Sequence, residues 1–213
     1  MRLHAIPHST NVERVALALG IKGVTDVDWV VHDPADRSAL VELSGQELVP
    51  VVEAGGRVLA DSMPIVAWID RTWPEPPLWP ADPAGRREVD GFVSFFDFVW
   101  KVPPNAIDAS LRSAAPDRER IAAWAEQLGA WRHGFEALLA GRDFLFGDRP
   151  GAADVCAYPF LKYSVSSDPE DDDLFHGVLI EHLALRGAFP RLEAWVSRMG
   201  SLSQASPPAP LRG

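Results

Sequence analysis

One cysteine in 213 residues, Cys156, leaves no partner for an intramolecular disulfide and no Cys-x-x-Cys redox pair. Any thiol chemistry must therefore use a thiol supplied from outside. Cys156 itself lies in an apolar segment and reads as a small buried hydrophobe. Basic residues are also scarce: 20 Lys and Arg stand against 30 Asp and Glu, a formal charge of -10. That balance repels phosphate backbones, and no local basic patch interrupts it, so nucleic acid is not an expected partner. No apolar run approaches the roughly 18 residues of a membrane span, and MRLHAIPHS lacks the apolar centre of a signal peptide. The expectation is a soluble, cytoplasmic protein that does not engage a membrane. Internal repeats are absent too.

What is present falls into two patterns. Residues 1–73 alternate short apolar runs with helical spacing in the order β-α-β-α-β-β-α. The strands are Arg2 to Ile6, Val27 to Val31, Val49 to Glu53 and Val58 to Ala60, the last two joined as a hairpin by Gly55 and Gly56. A right-handed crossover makes the first pair parallel, and the hairpin adds antiparallel edge pairing. The segment PEPPLWPADP, residues 74–83, is too rich in proline for helix or central strand and reads as a linker. Residues 84–200 are helical throughout, opened by Asp82 and Pro83 as cap and first-turn residues. Val89, Phe92, Phe96 and Val99 share one stripe, widened by Phe95, Phe98 and Trp100. Residues 201–213, rich in Ser and Pro, read as a flexible tail. The acidic run Asp168 to Asp173 beside His176 and His182 matches no metal-ligand spacing, so no metal is expected.

Two stretches place polar side chains where chemistry could use them. Ser9 stands between a strand and a helix, where its hydroxyl and the open N–H groups of the first turn can face an anion. The same stretch also reads as helix capping, since Thr10-Asn11-Val12-Glu13 fits the S/T-x-x-E box. Asp61 and Ser62 open a second helix, where either residue could serve as a cap.

A small βαβαββα domain, a proline-rich linker and an all-α helical bundle resemble the cytosolic glutathione transferase family. STNVERV from Ser9 to Val15 is similar to the first helix of phi-class and related serine-type members. LVPVV from Leu48 to Val52 is similar to the family's Val-Pro turn. Asp61-Ser62, GAADV from Gly151 to Val155 and FPRLEAWVSRM from Phe189 to Met199 match three further motifs in order. The resemblance implies an N-terminal thioredoxin-like domain and a homodimer with Asp61 and Ser62 near its interface. It also implies glutathione as co-substrate and a detoxifying conjugation with a small hydrophobic electrophile. Ser9 would stabilise the thiolate. Val49, before a cis Pro50, would pair with the peptide backbone. Asp61 and Ser62 would hold the γ-glutamyl end.

The second substrate is expected between domains against Phe92 to Trp100, with His8, Phe96, Trp100 and Asn105 as candidate lining. Core packing is the competing reading of the aromatics. Three departures stand out: Leu48 replaces a Lys or Gln that would contact the glycyl carboxylate, leaving Arg37 or Gln46 as substitutes; Asp61 is shorter than the commoner Glu; and Gly151 replaces a Ser or Thr cap. Two alternatives follow: a non-catalytic glutathione-binding or interaction protein, or a same-fold enzyme using another thiol or catalysing isomerisation, dehalogenation or peroxide reduction.

Overall fold

The computed structural model describes residues 1–167 and 171–206. The chain divides into two compact units, Met1–Leu78 together with the segment from Leu202, and Trp79–Ser201. Unit one is a four-stranded mixed sheet with three helices, and unit two is helical, as expected. The division, between Leu78 and Trp79, falls inside the segment 74–83 read as the linker. Part of the reason is that the linker is tied down: Asp70 accepts the Leu78 N–H at 2.8 Å, and the Lys22 ammonium sits 2.6 Å from the same carboxylate oxygen.

In unit one β1 (Arg2–Ala5), β2 (Asp28–Val31), β3 (Val51–Ala54) and β4 (Arg57–Ala60) assemble in the order β2-β1-β3-β4. β1 and β2 are parallel, and the other pairings are antiparallel. Strand alternation sends Leu3 and Ala5 to one buried face and Arg2 and His4 to the other. Register then explains the polar ladder on that second face: Arg2 stands opposite Asp28 and Glu53 and bonds both carboxylates, at 3.0 and 3.2 Å. His4 reaches Glu53 at 3.0 Å and His32 at 2.8 Å.

Helices α1 (Thr10–Ile21), α2 (Ser38–Ser44) and α3 (Ser62–Thr72) cover the sheet. α1 buries Val12, Val15, Leu17 and Leu19 and runs through Gly20 to Ile21. Ile6, Leu40 of α2 and Val51 form a small cluster, with Leu43 and Val49 packed on it. The direction of the strands decides where the loops meet. The C-terminal ends of β1 and β4 and the N-terminal end of β3 share one edge, so the segments 6–9, 49–50 and 61–62 emerge together.

Unit two comprises α4 (Pro83–Phe95), a π-helical turn (Phe96–Trp100), α5 (Val102–Leu111), α6 (Arg118–Leu138), α7 (Ala152–Leu161), α8 (Leu174–Leu183) and α9 (Pro190–Gly200). The π turn changes the expected stripe. It brings Trp100, not Val99, into line with Val89, Phe92 and Phe96, and leaves Val99 and Phe98 at 45% and 78% exposure. Phe96 and Trp100 stack at 4.3 Å, with Phe135 and Phe160 around them.

α7 starts at Gly151, whose extended backbone (φ -130°, ψ -172°) any residue can adopt. Having no side chain, it caps nothing, while Asp154 accepts the Gly151 N–H at 2.9 Å. Gly151→Ser adds the missing acceptor and is expected to raise stability by about 0.5 kcal/mol, read as a higher denaturation midpoint at unchanged m-value.

The tail is not loose where it is described. Ala205 N–H donates to the Ala16 carbonyl at 3.0 Å, and the Gln204 amide reaches Glu13 at 3.4 Å. The flexible tail expected over 201–213 is therefore corrected for its first residues, and 207–213 lie outside the described residues. Of the acidic run, residues 168–170 are likewise outside. Asp171 is drawn into a buried trio, 2.8 Å from the Tyr163 hydroxyl and 2.9 Å from His176 Nδ1. Among the described residues no His, Cys, Asp and Glu group is arranged to hold a metal, and no helix is long and apolar enough to cross a membrane.

Candidate active site

Ser9 is the N-cap of α1 and is half-buried. Its hydroxyl oxygen accepts the Val12 N–H at 3.4 Å, at the long end for such a bond. This corrects the capping-box expectation: Thr10 is already helical, and three residues beyond the true cap stands Val12, which has no side chain to reach back. The hydroxyl acts as acceptor in this bond and keeps its own proton to donate. Capping and anion binding are thus compatible at Ser9.

The neighbouring segments supply further open groups. The Val49-Pro50 bond is cis. Among the described residues no hydrogen bond engages the Val49 N–H or C=O, which leaves both for an extended peptide laid alongside. Asp61 caps α3 by position, with a positive φ of 67°, but its side chain makes no cap bond. No hydrogen bond or ion pair is formed by its exposed carboxylate among the described residues. The first-turn N–H groups of Ser62 and Met63 are thus not closed by a side chain, and Pro64, third in the helix, has no N–H to offer.

Ser62 is not the helix cap that the alternative reading made it. It is the first helical residue, 7% exposed, and its hydroxyl accepts from Arg14 Nη1 at 3.1 Å and donates to Asn11 Oδ1 at 3.4 Å. Arg14 also reaches Asn11 at 3.3 Å and is itself 1% exposed. A buried cation therefore lies under the start of α3, tied through Asn11 to the same helical turn that Ser9 caps.

Sequence reasoning missed Arg14, although its position gave a signal. With Thr10 and Leu17 it falls on a buried face of α1, where a charge needs a partner.

The remaining candidates separate. His8 is exposed, has a φ of 60° and lines the same cavity as Ser9. Phe96 and Trp100 are 0% exposed in the aromatic core of unit two, so the substrate-wall expectation for them is corrected to core packing. Asn105 is on α5, exposed, and its amide donates to the Lys101 carbonyl at 2.7 Å. Arg37 commits two donors to the carbonyls of Pro34 and Glu47, while Leu48 is 61% exposed and apolar. The Gln46 Nε2 is buried and has no hydrogen-bond partner among the described residues.

Two sequence profiles match this chain: "Glutathione S-transferase, N-terminal domain" over residues 3–77 and "Glutathione S-transferase, C-terminal domain" over residues 118–198. The chain belongs to the glutathione S-transferase family. Among curated relatives it is 32% identical to maleylpyruvate isomerase of a Ralstonia species over 170 residues, covering 75% of this chain and 80% of that protein. It is 29% identical over 169 residues to maleylacetoacetate isomerase of Pseudomonas aeruginosa, with 76% and 80% covered. The fold superposes on a Tau class glutathione S-transferase from mango, Mangifera indica, with a TM-score of 0.76 at 21% identity, covering 94% of this chain and 88% of that one.

The Arg14 network of this family member yields a test. Arg14→Met keeps the volume and removes the charge-assisted bond to Ser62, worth about 1.5–3 kcal/mol. The KM for glutathione is expected to rise about tenfold or more with kcat changed less than about twofold, and Arg14→Lys to recover part of the loss. A merely structural role would lower the unfolding midpoint and leave this split unseen.

Proposed function

We propose that this protein is a glutathione transferase of the serine type. The Val49 backbone pairs with the tripeptide, the Asp61 carboxylate takes the γ-glutamyl ammonium, and the open start of α3 with Ser62 takes the γ-glutamyl carboxylate. The thiol then lies at Ser9. A thiol of pKa near 8.5 is only a few per cent ionised at neutral pH, and lowering it by about two units takes roughly 2.7 kcal/mol of preference for the anion. One hydroxyl donor, at about 1.5–3 kcal/mol to a charged partner, together with the positive end of α1, is sufficient in size.

The thiolate attacks an electrophilic carbon of an apolar substrate. With an aryl halide the C–S bond forms, the C–halogen bond breaks, the halide leaves with the electron pair, and the thiol proton has already passed to solvent. The observation that carries this reading is the Ser9 hydroxyl: half-buried beside a cavity, holding its cap bond at 3.4 Å, with its proton still to give. Adding glutathione to the protein at neutral pH and following thiolate absorbance tests it, an increase supporting the reading and its absence ending it. The homodimer implied by the family resemblance and the cytoplasmic location expected from the sequence belong to this reading as well. A single species at monomer mass in sedimentation velocity would end the dimer part.

The similarity to two isomerases favours a second reading with the same first step. The thiolate adds to one carbon of a cis double bond, the resulting single bond rotates, and expulsion of the thiolate restores glutathione. Conjugation consumes glutathione, whereas conversion of maleylpyruvate at constant glutathione would assign isomerisation.

A further inference from the structure

Helix α2 and the segments flanking it, residues 33–50, form one excursion of the chain from the end of β2 to the cis Val49-Pro50 bond. Leu40 fixes its middle in the cluster with Ile6 and Val51, and Arg37 ties its two limbs together through the carbonyls of Pro34 and Glu47. Residues 33–37 otherwise bond only among themselves and to the start of α2: the Asp33 and Asp36 carboxylates take the N–H groups of Ala35 and Ser38, and the Arg37 carbonyl takes those of Leu40 and Val41. Among the described residues no hydrogen bond joins 33–37 to the sheet. The side-chain tie at the root of the excursion is His32.

The tautomers of that tie follow from the partners. The Glu53 carboxylate only accepts, so His4 donates from Nε2 across 3.0 Å, and its Nδ1 keeps a lone pair that takes the Nε2–H of His32 at 2.8 Å. One added proton leaves the chain of bonds intact, since His4 then donates from Nδ1 to a neutral His32. Two added protons put an N–H on both facing atoms and a positive charge on both rings, and the bond is lost. The charged groups around the pair are Arg2 of β1, which shares Glu53 of β3 at 3.2 Å, Asp28 of β2, which holds Arg2 at 3.0 Å, and Asp36, whose charge favours the His32 cation. From α2 comes only the exposed Glu42. His4 is buried and His32 half-buried. Burial first, and the His4 charge second, hold the His32 pKa below its ordinary value of 6.5.

We propose that His32 is a positioning residue for glutathione: its bond to His4 holds the excursion that ends at Val49, and a second proton on the pair releases it. The inference rests on the reading that Val49 pairs with the tripeptide. In the released form the imidazoles return to ordinary values, so it binds one proton more than the latched form at pH values between the ordinary pKa and the lower one. The latch is therefore complete above about 6.5 and weakens about tenfold per pH unit below it, until the latched form takes up the proton too.

S-methylglutathione is the probe, because it carries no thiol proton to distort the pH profile. Its Kd by calorimetry is expected to rise about fivefold or more in wild type between about pH 7.5 and 5.5, and less than about twofold in His32→Gln, whose amide donates to His4 Nδ1 and does not titrate. His8, exposed beside Ser9, is present in both proteins and cancels in the comparison. His32→Phe, which loses the donor, is expected to bind at about pH 7.5 as weakly as wild type does at about 5.5. Equal profiles for wild type and His32→Gln, flat or sloping, would overturn this inference alone, and so would a His32→Phe protein that binds like wild type at both pH values. Nitrogen-15 spectra of the wild-type imidazoles need no variant: His4 and His32 are expected to titrate in two separated steps, and two independent titrations near 6.5 would count equally against the latch. A wild type that binds no S-methylglutathione at either pH would sink the reading beneath it.

Discussion

Asp154→Ala is expected to destabilise the protein by about 3–5 kcal/mol, the largest stability effect of any single side-chain change considered. The carboxylate is 1% exposed and receives three donors: the Leu145 N–H at 2.9 Å and the Trp195 indole N–H at 2.8 Å on one oxygen, and the Gly151 N–H at 2.9 Å on the other. It joins the loop before α7, the start of α7 and the middle of α9. Alanine removes one acceptor group and strands three donors in the interior, each costing about 1–3 kcal/mol when water cannot replace the partner. Asn is expected to cost less, since its carbonyl can keep the two donors on one oxygen while its amide opposes the Gly151 N–H. Urea unfolding of the three proteins gives the order wild type, Asn, Ala, and an Ala variant within about 1 kcal/mol of wild type would refute the account.

Charge at this position works against that bonding. Burial pushes the Asp154 carboxyl up to about 6 despite the pull of the three donors. Between the ordinary carboxylate value near 3.8 and about 6, the folded state binds a proton that the unfolded state has released. This contribution to stability is therefore full below the unfolded value and is lost as pH rises to the folded one, by about 1.4 kcal/mol per unit at the steepest. Subtracting the pH profile of Asp154→Asn from that of wild type isolates the component. It is expected to fall between pH 4 and 6 and to be flat at neutral pH.

The sheet was legible in the sequence because period-two alternation, a glycine hairpin and a proline before a strand are local signals. The convergence of residues 9, 49 and 61–62 followed from strand direction alone. The course of residues 203–205 along α1 was not legible, because Ser and Pro describe a segment's own preferences and say nothing of what it lies on. The trace it left was elsewhere: Gly20 interrupts an otherwise continuous helical run, and a glycine kept inside a helix at about 1 kcal/mol relative to alanine calls for a packing reason. The π turn was hidden for a related cause. A stripe read at 3.6 residues per turn leads from Phe96 to Val99, and one wider turn substitutes Trp100, converting a supposed substrate wall into core. Arg14 could have been found by asking which charge lies on an apolar face, whereas its partner Ser62 is 48 residues away and visible only in three dimensions.

Ser9→Ala is expected to lower kcat/KM for conjugation by up to about 25-fold at neutral pH, because a bound thiol returned some two units to its ordinary pKa near 8.5 falls from mostly ionised to a few per cent. The same change removes a helix cap and about 1 kcal/mol of stability, so activity and folding fall together and the alanine variant alone cannot separate reagent from cap. Ser9→Asp separates them. Aspartate is as good an N-cap as serine and adds favourable charge at the positive end of α1, so the unfolding midpoint is expected to stay at or above that of wild type. Beside an incoming sulfur, however, the carboxylate offers no proton and repels the thiolate, so absorbance on adding glutathione is expected to vanish and turnover to drop at least as far as in Ser9→Ala. A stable Ser9→Asp protein that still ionises glutathione would reduce Ser9 to its cap bond with Val12 and move the source of thiolate stabilisation to the free backbone of the first turn.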